Sequence, residues 1–499
     1  MSFRSGVTQP SGSIPPIHIL DDDSLLIIFS LYRPVILVGA DIGVRAGNSG
    51  PPRWGEWTRE RWWHELSHVC QRWRKLILAS ASYLGLCLVC TYGTSVARML
   101  ECFPPLPIVL DYPHVDRRRT AQDKDGILLA LQHRARLYRI RLCVPPSHEE
   151  KLVMAIEMEF PMLEYLYIGI SNLVIVHQDL EISQTFQAPR LRHLALTRCP
   201  FLVASPSLMT STGLVTLSLM SLPHQCCYHP YDLIQRLSVL TQLEVLRIST
   251  FDDRLTHELE GQQSDIPLIT HLTLPNLRLF EFAGHNNYLK TLLPWMTTPL
   301  LEKLQIIFIP YMTTPAPTLN FLFLLQFINK ADVLGFGSAK LLFDGLGATA
   351  RVYPREGARV YDFYLRTITS PLHLQVPEMA KIFGNLGPAF SSVVDLTIDY
   401  SGHNLLYEWA ELVHWRDLLK CVNNVKILRV HGISAKDLSY CLLTGGEPLP
   451  GVLPQLQVVE CPVGCDARDA FAAFVNLRKA EGYPIRLILV DPPPASTSP

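Results

Sequence analysis

The stretch Leu191-Arg192-His193-Leu194-Ala195-Leu196 is one copy of a pattern, Leu-x-x-Leu-x-Leu, that recurs along most of the chain. The alternation within each copy predicts a short strand with one buried face. Steps of 26, 28, 23 and 29 residues separate the first five copies. With an occasional Phe, Val, Ile or Cys in place of Leu, the pattern starts at Leu137, Leu163, Leu191, Leu214, Leu243, Ile269, Leu277, Leu301, Val393, Val425 and Leu456.

Apolar residues with helical spacing lie between some of these copies, for example at residues 231–240 and 409–419. A strand and a helix in each unit of about 20 to 29 residues resemble the leucine-rich repeat. The resemblance implies a solenoid over residues 131–490 with a parallel, concave sheet. Between residues 310 and 390 the pattern weakens, and residues 321–336 are interpreted as one degenerate unit.

Side chains between the leucines of each copy are expected to point to the opposite face of the sheet. Stacked repeats would place them on one concave surface that suits an extended protein partner. Tyr and Arg are favoured anchors at protein interfaces. The predicted target-binding residues are Tyr165, Tyr167, His193, Arg247, Asp395, Asp399 and Arg429.

A second pattern lies near the amino terminus, in residues 62–78. Its apolar residues recur at i, i+3, i+4, i+7 and i+11, which predicts one amphipathic helix from Thr58 to about Ala81. The residues expected on its buried face are Leu66, Val69, Cys70, Trp73 and Ile77.

The segment Leu66-x-x-Val69-Cys70-x-x-Trp73-Arg74 resembles the second half of an F-box. Residues 20–29 resemble its first half, usually written Leu-Pro-x-Glu-Ile-Leu-x-x-Ile-Phe, although Asp21 replaces the proline and Ser24 replaces an aliphatic residue. The aspartates at 21–23 predict a capped helix that runs to about Leu31. Residues 34–58 are rich in Gly and Pro and predict an inserted loop.

An F-box followed by leucine-rich repeats resembles the substrate receptors of cullin–RING ubiquitin ligases. The resemblance implies that the F-box binds a Skp-type adaptor, and through it a cullin, while the repeats bind a target protein. The chain would then act as a non-catalytic subunit without a cofactor or a metal. The residues implied in adaptor binding, or in the small core behind it, are Leu20, Leu25, Ile28, Phe29, Leu66, Val69, Cys70 and Trp73.

Two alternatives stay open. One is a leucine-rich-repeat scaffold that binds a partner without any ligase, because the first half of the F-box departs from its pattern. The other is a zinc metallohydrolase, because His64-Glu65-x-x-His68 matches the helical motif of zinc proteases. Arg61, Arg72 and Lys75 would share the histidine face of a helix, and their positive charge disfavours a dication there.

The expected fold class is therefore α/β. The expected domains are a disordered tail at 1–13, a small all-α F-box at 14–82, a linker or capping region at 83–130, an irregular solenoid at 131–490 and a disordered tail at 491–499. A net charge of −1 predicts no general attraction to nucleic acid or to an anionic membrane. The apolar runs are too short to span a bilayer, and the twelve cysteines show no zinc-ligand spacing. These features predict a soluble protein of the cytoplasm, the nucleus or both.

Overall fold

The structure is a computed structural model. It describes residues 19–34, 58–113, 120–145, 155–156, 158–170, 186–199, 211–222, 228–250, 271–309, 321–330, 336–355, 362–368, 372–400, 412–432, 438–439, 441–444, 447–448, 452–463 and 465–490. Both expected tails and nearly all of the inserted loop at 34–58 lie outside this range. Contacts divide the chain into two compact units, one of residues 1–174 and 185–190 and one of residues 175–184 and 191–499.

The first unit begins with four helices and continues as alternating strands and helices. Its helices are α1 (Asp22–Leu31), α2 (Trp62–Val69), α3 (Gln71–Ala79), α4 (Ala81–Leu84), α5 (Val96–Cys102) and α6 (Ala121–Gln132). Its strands are β1 (Leu88–Thr91), β2 (Ile108–Tyr112), β3 (Leu137–Val144) and β4 (Tyr165–Ile170), which pair in this order and all in parallel. The expected linker at 83–130 therefore contains two strands of this sheet.

Helix α1 starts and ends where the sequence predicts. The carboxylate of Asp21 accepts a hydrogen bond of 2.6 Å from the backbone N–H of Ser24, and Asp22 and Asp23 lie in the first turn. Both features favour a helix amino terminus, because acidic groups there satisfy free N–H groups and complement the helix dipole.

The single helix predicted from Thr58 to Ala81 is wrong. Residues Thr58–Arg61 form a 3-10 turn, and the helix that follows breaks at Cys70, whose backbone is extended at φ −157° and ψ 169°. The Cys70 sulfur accepts a hydrogen bond of 3.5 Å from the N–H of Trp73 and caps α3. Because of this break, Val69 turns outward and is 58% exposed instead of lying on the buried face.

The helices share one core with the start of the first sheet. Leu25, Phe29, Trp63, Trp73 and Ile77 pack in one cluster with Leu84, Leu86, Leu88 and Leu106. The indole N–H of Trp63 also donates to the carbonyl of Cys87 at 3.3 Å. The helical segment and β1 are therefore parts of a single packed body.

The second unit contains a large, mostly parallel sheet of twelve strands. In spatial order they are β5 (His193–Thr197), β6 (Thr216–Leu222), β7 (Val245–Thr250), β9 (Leu279–Gly284), β11 (Lys303–Phe308), β14 (Asp362–Thr367), β13 (Gly347–Pro354), β12 (Phe336–Asp344), β15 (Asp395–Tyr400), β16 (Ile427–Gly432), β19 (Val458–Pro462) and β20 (Arg486–Val490). Two small pairs lie outside it, β8 (Leu272–Thr273) with β10 (Met296–Thr297), and β17 (Leu443–Thr444) with β18 (Glu447–Pro448). The helices of this unit are α7 (Pro230–Leu237), α8 (Asn286–Leu292), α9 (Leu322–Lys330), α10 (Leu372–Phe390), α11 (Leu412–Lys420) and α12 (Cys465–Ala480).

Ten of the eleven Leu-x-x-Leu-x-Leu copies coincide with a strand of these two sheets. The exception is the copy at Ile269, where β8 pairs with β10 away from the main sheet. The interpretation of residues 321–336 as one degenerate repeat unit stays a prediction: Leu322–Lys330 is a helix and Phe336 begins a nine-residue strand, but residues 331–335 lie outside the described range. A mixed α/β fold with a large, mostly parallel sheet is confirmed.

Candidate docking surfaces

The residues that the F-box resemblance implies in adaptor binding divide into an inner and an outer group. Leu25, Phe29 and Trp73 are inside, and the rings of Phe29 and Trp73 meet edge to face with centroids 4.9 Å apart. Leu20, Leu66 and Cys70 are partly buried against the same core, and Ile28 is partly exposed. Val69 is the most exposed member of the set. Most of the predicted adaptor-binding residues therefore build the small core.

The outer face of α1 carries large apolar side chains that the sequence reading did not select. Ile27 is 57% exposed and Leu31 is 78% exposed, although both lie on a helix whose Leu25 and Phe29 are fully buried. Two residues along a helix correspond to a rotation of about 200°, so Ile27 and Leu31 must point away from the face that Leu25 and Phe29 bury. Tyr32, the residue that follows the helix, is 63% exposed. The sequence of α1 was sufficient to predict this uncovered face, because a helix with aliphatic residues on both faces can bury only one of them.

An ion pair joins α1 to α3. The guanidinium of Arg72 lies 2.7 Å from a carboxylate oxygen of Asp22 and also donates to the carbonyl of Leu20 at 2.7 Å. The pair is exposed, so we expect it to orient the helices more than to stabilise them. The hydrogen bond from the Ser24 backbone lowers the pKa of Asp21 below its usual value, which keeps this cap charged.

Within the described residues, the zinc-protease motif does not form part of a metal site. The His64 ring packs on Trp63 and Phe103, with centroids 4.0 and 5.8 Å away, whereas Glu65 and His68 are exposed. Burial, followed by the nearby charge of Arg61, lowers the pKa of His64 to about 4. Among the described residues no three His, Cys, Asp or Glu side chains come together in a way that could hold a metal ion.

Cys87 and Cys90 lie close together in the sequence, just before β1 and within it. Both are free thiols, and burial raises the pKa of Cys87 to about 12 and that of Cys90 to about 11. A thiol of such high pKa stays protonated at neutral pH and is a poor nucleophile.

The polar face of the first sheet is buried. Asp111 and Arg141 form a bidentate pair with N–O distances of 2.6 and 2.8 Å, and Arg139 pairs with Glu60. Tyr165 lies against Val89 and Val109 and is also buried, and Tyr167 packs beside this cluster. Burial raises the pKa of Glu60, with the charge of Arg139 acting in the opposite direction. The expected open position of Tyr165 is therefore wrong, because its ring fills the space above the neighbouring strands.

The polar face of the second sheet changes character along its length. In the first strands it is buried: Arg247 pairs with Glu281 at 3.1 Å, and Nδ1 of His193, itself half-buried, lies 3.1 Å from the Thr216 hydroxyl. The expectation that Arg247 faces solvent is wrong, since its guanidinium and its acidic partner are both enclosed.

From β11 onward the same face is partly open to solvent. Asp395, Asp399 and Arg429 lie there, all half-buried, as predicted for target contacts. Arg429 pairs with Asp395 and with Glu460, the latter at 2.7 Å, and Asp399 pairs with Lys340 at 3.0 Å. The hydrogen bond to Asp395 is the main reason that the pKa of Arg429 rises above its usual value.

A scan against models of known protein families and a search of curated proteins both return no match for this chain. None of the helices in the described part of the chain has the length and apolar character needed to cross a membrane.

Proposed function

We propose that this chain is the substrate-recognition subunit of a cullin–RING ubiquitin ligase. In this proposal the helices α1 to α3 form a divergent F-box that binds a Skp-type adaptor, and the repeat strands form an irregular leucine-rich-repeat solenoid that binds the target protein. The observation that carries the proposal is the uncovered apolar face of α1, with Ile27 and Leu31, on a helix that also carries the F-box-like residues.

Burial of that face by another protein is physically favourable. A buried aliphatic side chain of this size contributes about 1.5 to 3 kcal/mol relative to an exposed one. Exposed apolar side chains that lie together on one helix are typical of protein interaction sites. An amphipathic helix that offers anchors at i and i+4 fits the helix-in-groove mode of recognition. Ile27 and Leu31 have this spacing.

The repeat strands support the target-binding half of the proposal. Their leucines are buried on one face, and the other face, from β11 onward, presents charged side chains that solvent can reach. Parallel strands in register place equivalent positions of successive repeats side by side, which suits an extended segment of another protein.

The proposed activity needs no catalytic group from this chain. A bound target would be held close to a ubiquitin-conjugating enzyme, and tethering raises the effective concentration of its lysines near the reactive thioester. The chain would contribute proximity and choice of target.

Adaptor capture with a matched pair of variants tests the proposal. Leu31→Asp places a charge in the uncovered face of α1, and we expect capture of a purified Skp-type adaptor by the full chain to fall at least about tenfold. The control is Leu346→Asp, because Leu346 is also exposed, at 65%, but lies in the β12–β13 turn of the second unit. Trp73→Ala would not serve, because Trp73 is 8% exposed and its loss would disrupt the core.

Equal capture by Leu31→Asp and wild type would contradict the proposed docking face. If the wild-type chain captured no adaptor at all, the ligase assignment would fall, and a repeat scaffold that binds its partner without a ligase would replace it.

A further inference from the structure

One strand of the second sheet runs against all of its neighbours. β13 lies between β14 and β12 and is antiparallel to both, whereas β11 with β14 and β12 with β15 are parallel. The hairpin between β12 and β13 is fixed by Asp344, whose carboxylate accepts hydrogen bonds from the N–H groups of Leu346 and Gly347 at 2.8 and 2.9 Å. This turn sets the register of the reversed strand.

The register places Arg351 on the partly open face of the sheet. Its Cα is paired with that of Lys340 on one side and that of Tyr364 on the other. Arg351 is exposed, and its guanidinium carbon lies 5.2 Å from the centroid of the buried Tyr364 ring. Tyr353, two residues along the same strand, is 39% exposed. β13 therefore presents Arg351, whose guanidinium lies over the ring of Tyr364, and Tyr353 follows it two residues later on the same strand.

Arg351 differs from the other cations of this face in its charge balance. Within the described strands from β11 to β19, each other Lys or Arg has an acidic partner. These pairs are Lys303 with Asp362 at 3.9 Å, Lys340 with Asp399 at 3.0 Å, Arg366 with Asp344 at 3.3 Å, and Arg429 with Glu460 at 2.7 Å. Among these described strands, Arg351 packs over the ring of Tyr364 and forms no ion pair with a carboxylate.

We propose that Arg351, supported by Tyr364 and flanked by Tyr353, anchors an acidic side chain of a bound protein segment. The inference rests on the target-binding half of the proposed function and does not require the adaptor. A guanidinium forms two parallel hydrogen bonds with a carboxylate, and stacking on a tyrosine ring holds its plane in place before binding. Arg and Tyr are also the residue types that contribute most at protein interfaces.

The surrounding charges favour a protein segment over a nucleic acid. Asp362, Asp399 and Asp344 lie on neighbouring strands, on or at the edge of the same face, and would repel a continuous row of phosphates. A peptide with one or two acidic residues can meet Arg351 and leave the existing ion pairs intact. The preferred ligand is therefore an extended segment with isolated Asp or Glu residues.

Selection from a displayed library of random linear peptides on the purified full chain tests this inference. We expect the selected peptides to be enriched in Asp or Glu, and Arg351→Glu to weaken their binding at least about tenfold. The matched control is Lys381→Glu, which makes the same change of charge at an exposed position of α10. That helix packs on the opposite face of the same strands, where Phe390 meets Phe363 with centroids 6.2 Å apart. The control should change binding by less than about twofold.

The inference is overturned if no peptide is enriched, if the enriched peptides lack acidic residues, or if Arg351→Glu binds them as well as wild type does. Adaptor capture by the same Arg351→Glu protein should match wild type. Loss of peptide binding by Arg351→Glu with retained adaptor capture would support this inference. Loss of adaptor capture by Leu31→Asp concerns only the ligase assignment.

Discussion

At the scale of single residues, burial decides what a charged side chain of these sheets can do. Arg141 and Asp111 are enclosed, with 3% and 6% of their side chains exposed. Removal of one member of such a pair leaves a buried, uncompensated charge and costs about 3 to 5 kcal/mol. Arg429 is more exposed and shares two acidic partners, so it can exchange one of them for a ligand without that penalty.

His64 gives a pH dependence whose sign follows from its surroundings. Its pKa is lowered from 6.5 to about 4 in the folded protein. The unfolded chain therefore binds a proton near pH 6.5, whereas the folded chain does so only near pH 4. The stability that neutral His64 contributes is complete above pH 6.5 and is lost as the pH falls towards 4.

We expect His64→Phe to lose less stability than wild type between about pH 7 and about pH 4.5. The difference should be about 1 to 2 kcal/mol after allowance for the partial exposure of the ring. Phenylalanine keeps an aromatic ring against Trp63 and Phe103 but cannot bind a proton. Urea unfolding followed by tryptophan fluorescence at both pH values measures the effect.

His133→Phe is the control, because His133 belongs to the same unit and lies outside the core cluster around Trp63. A pH dependence of His64→Phe that matched wild type would show that His64 does not titrate as its burial implies.

At the scale of elements, the start of α6 shows how one side chain can hold a helix end and a turn together. The carboxylate of Asp123 accepts hydrogen bonds from the N–H and the hydroxyl of Thr120 at 2.8 and 2.7 Å, and from the N–H of Gly93 at 2.9 Å. The Thr120 hydroxyl in turn accepts from the N–H of Asp123 at 3.2 Å. This reciprocal capping box satisfies N–H groups that the first turn would leave free.

Thr120→Ala should weaken this end of α6 by about 1 kcal/mol, because alanine cannot accept the hydrogen bond. Amide hydrogen exchange in peptides that cover α6 should then be faster by about fivefold. Thr120→Ser keeps the hydroxyl and should exchange as wild type does. Faster exchange in both variants would point to lost packing of the methyl group instead of a lost cap.

Much of the strand arrangement follows from the sequence, because the alternation of leucines fixes both the strand and its buried face. Leu194 and Leu196 are an example, and both are buried in β5. The copy at Ile269 failed because strand pairing is non-local: Leu272 pairs with Met296 in place of a strand of the main sheet. The sequence did not predict the break at Cys70, because the apolar residues on both sides of it have the spacing of one continuous helix.

The candidate sites were less predictable than the strands. Alternation shows that Arg247 and Arg351 point away from the leucines, but burial of one and exposure of the other depend on residues distant in sequence. The uncovered face of α1 could have been predicted from the sequence, since Ile27 and Leu31 are offset from Leu25 and Phe29 by two positions and so point to the opposite side of the helix.

At the scale of the whole molecule, the two proposed surfaces belong to different compact units. Leu31 lies in the first unit and Arg351 in the second. If each surface binds its own partner, a change in one should leave the other intact, because substitutions without shared contacts act independently.

We therefore expect each substitution in the full-length protein to remove one binding activity and to leave the other intact. Leu31→Asp should lose adaptor capture and keep binding of acidic peptides, and Arg351→Glu should do the reverse. The double variant should lose both to the same extent as the two single variants. Calorimetric titration of the wild type and of each purified variant, once with the adaptor and once with a selected peptide, measures the two affinities separately. Loss of both activities in either single variant would contradict the separation.

The reversed strand has a consequence for how this fold can change in length. β12 and β13 run in opposite directions, and on either side of the pair β14 and β15 point the same way. Loss or gain of residues 336–354 would therefore alter the number of strands by two while every remaining strand kept its direction. We expect related or alternatively spliced chains to differ here by whole hairpins, while the remaining strands of the sheet keep their directions.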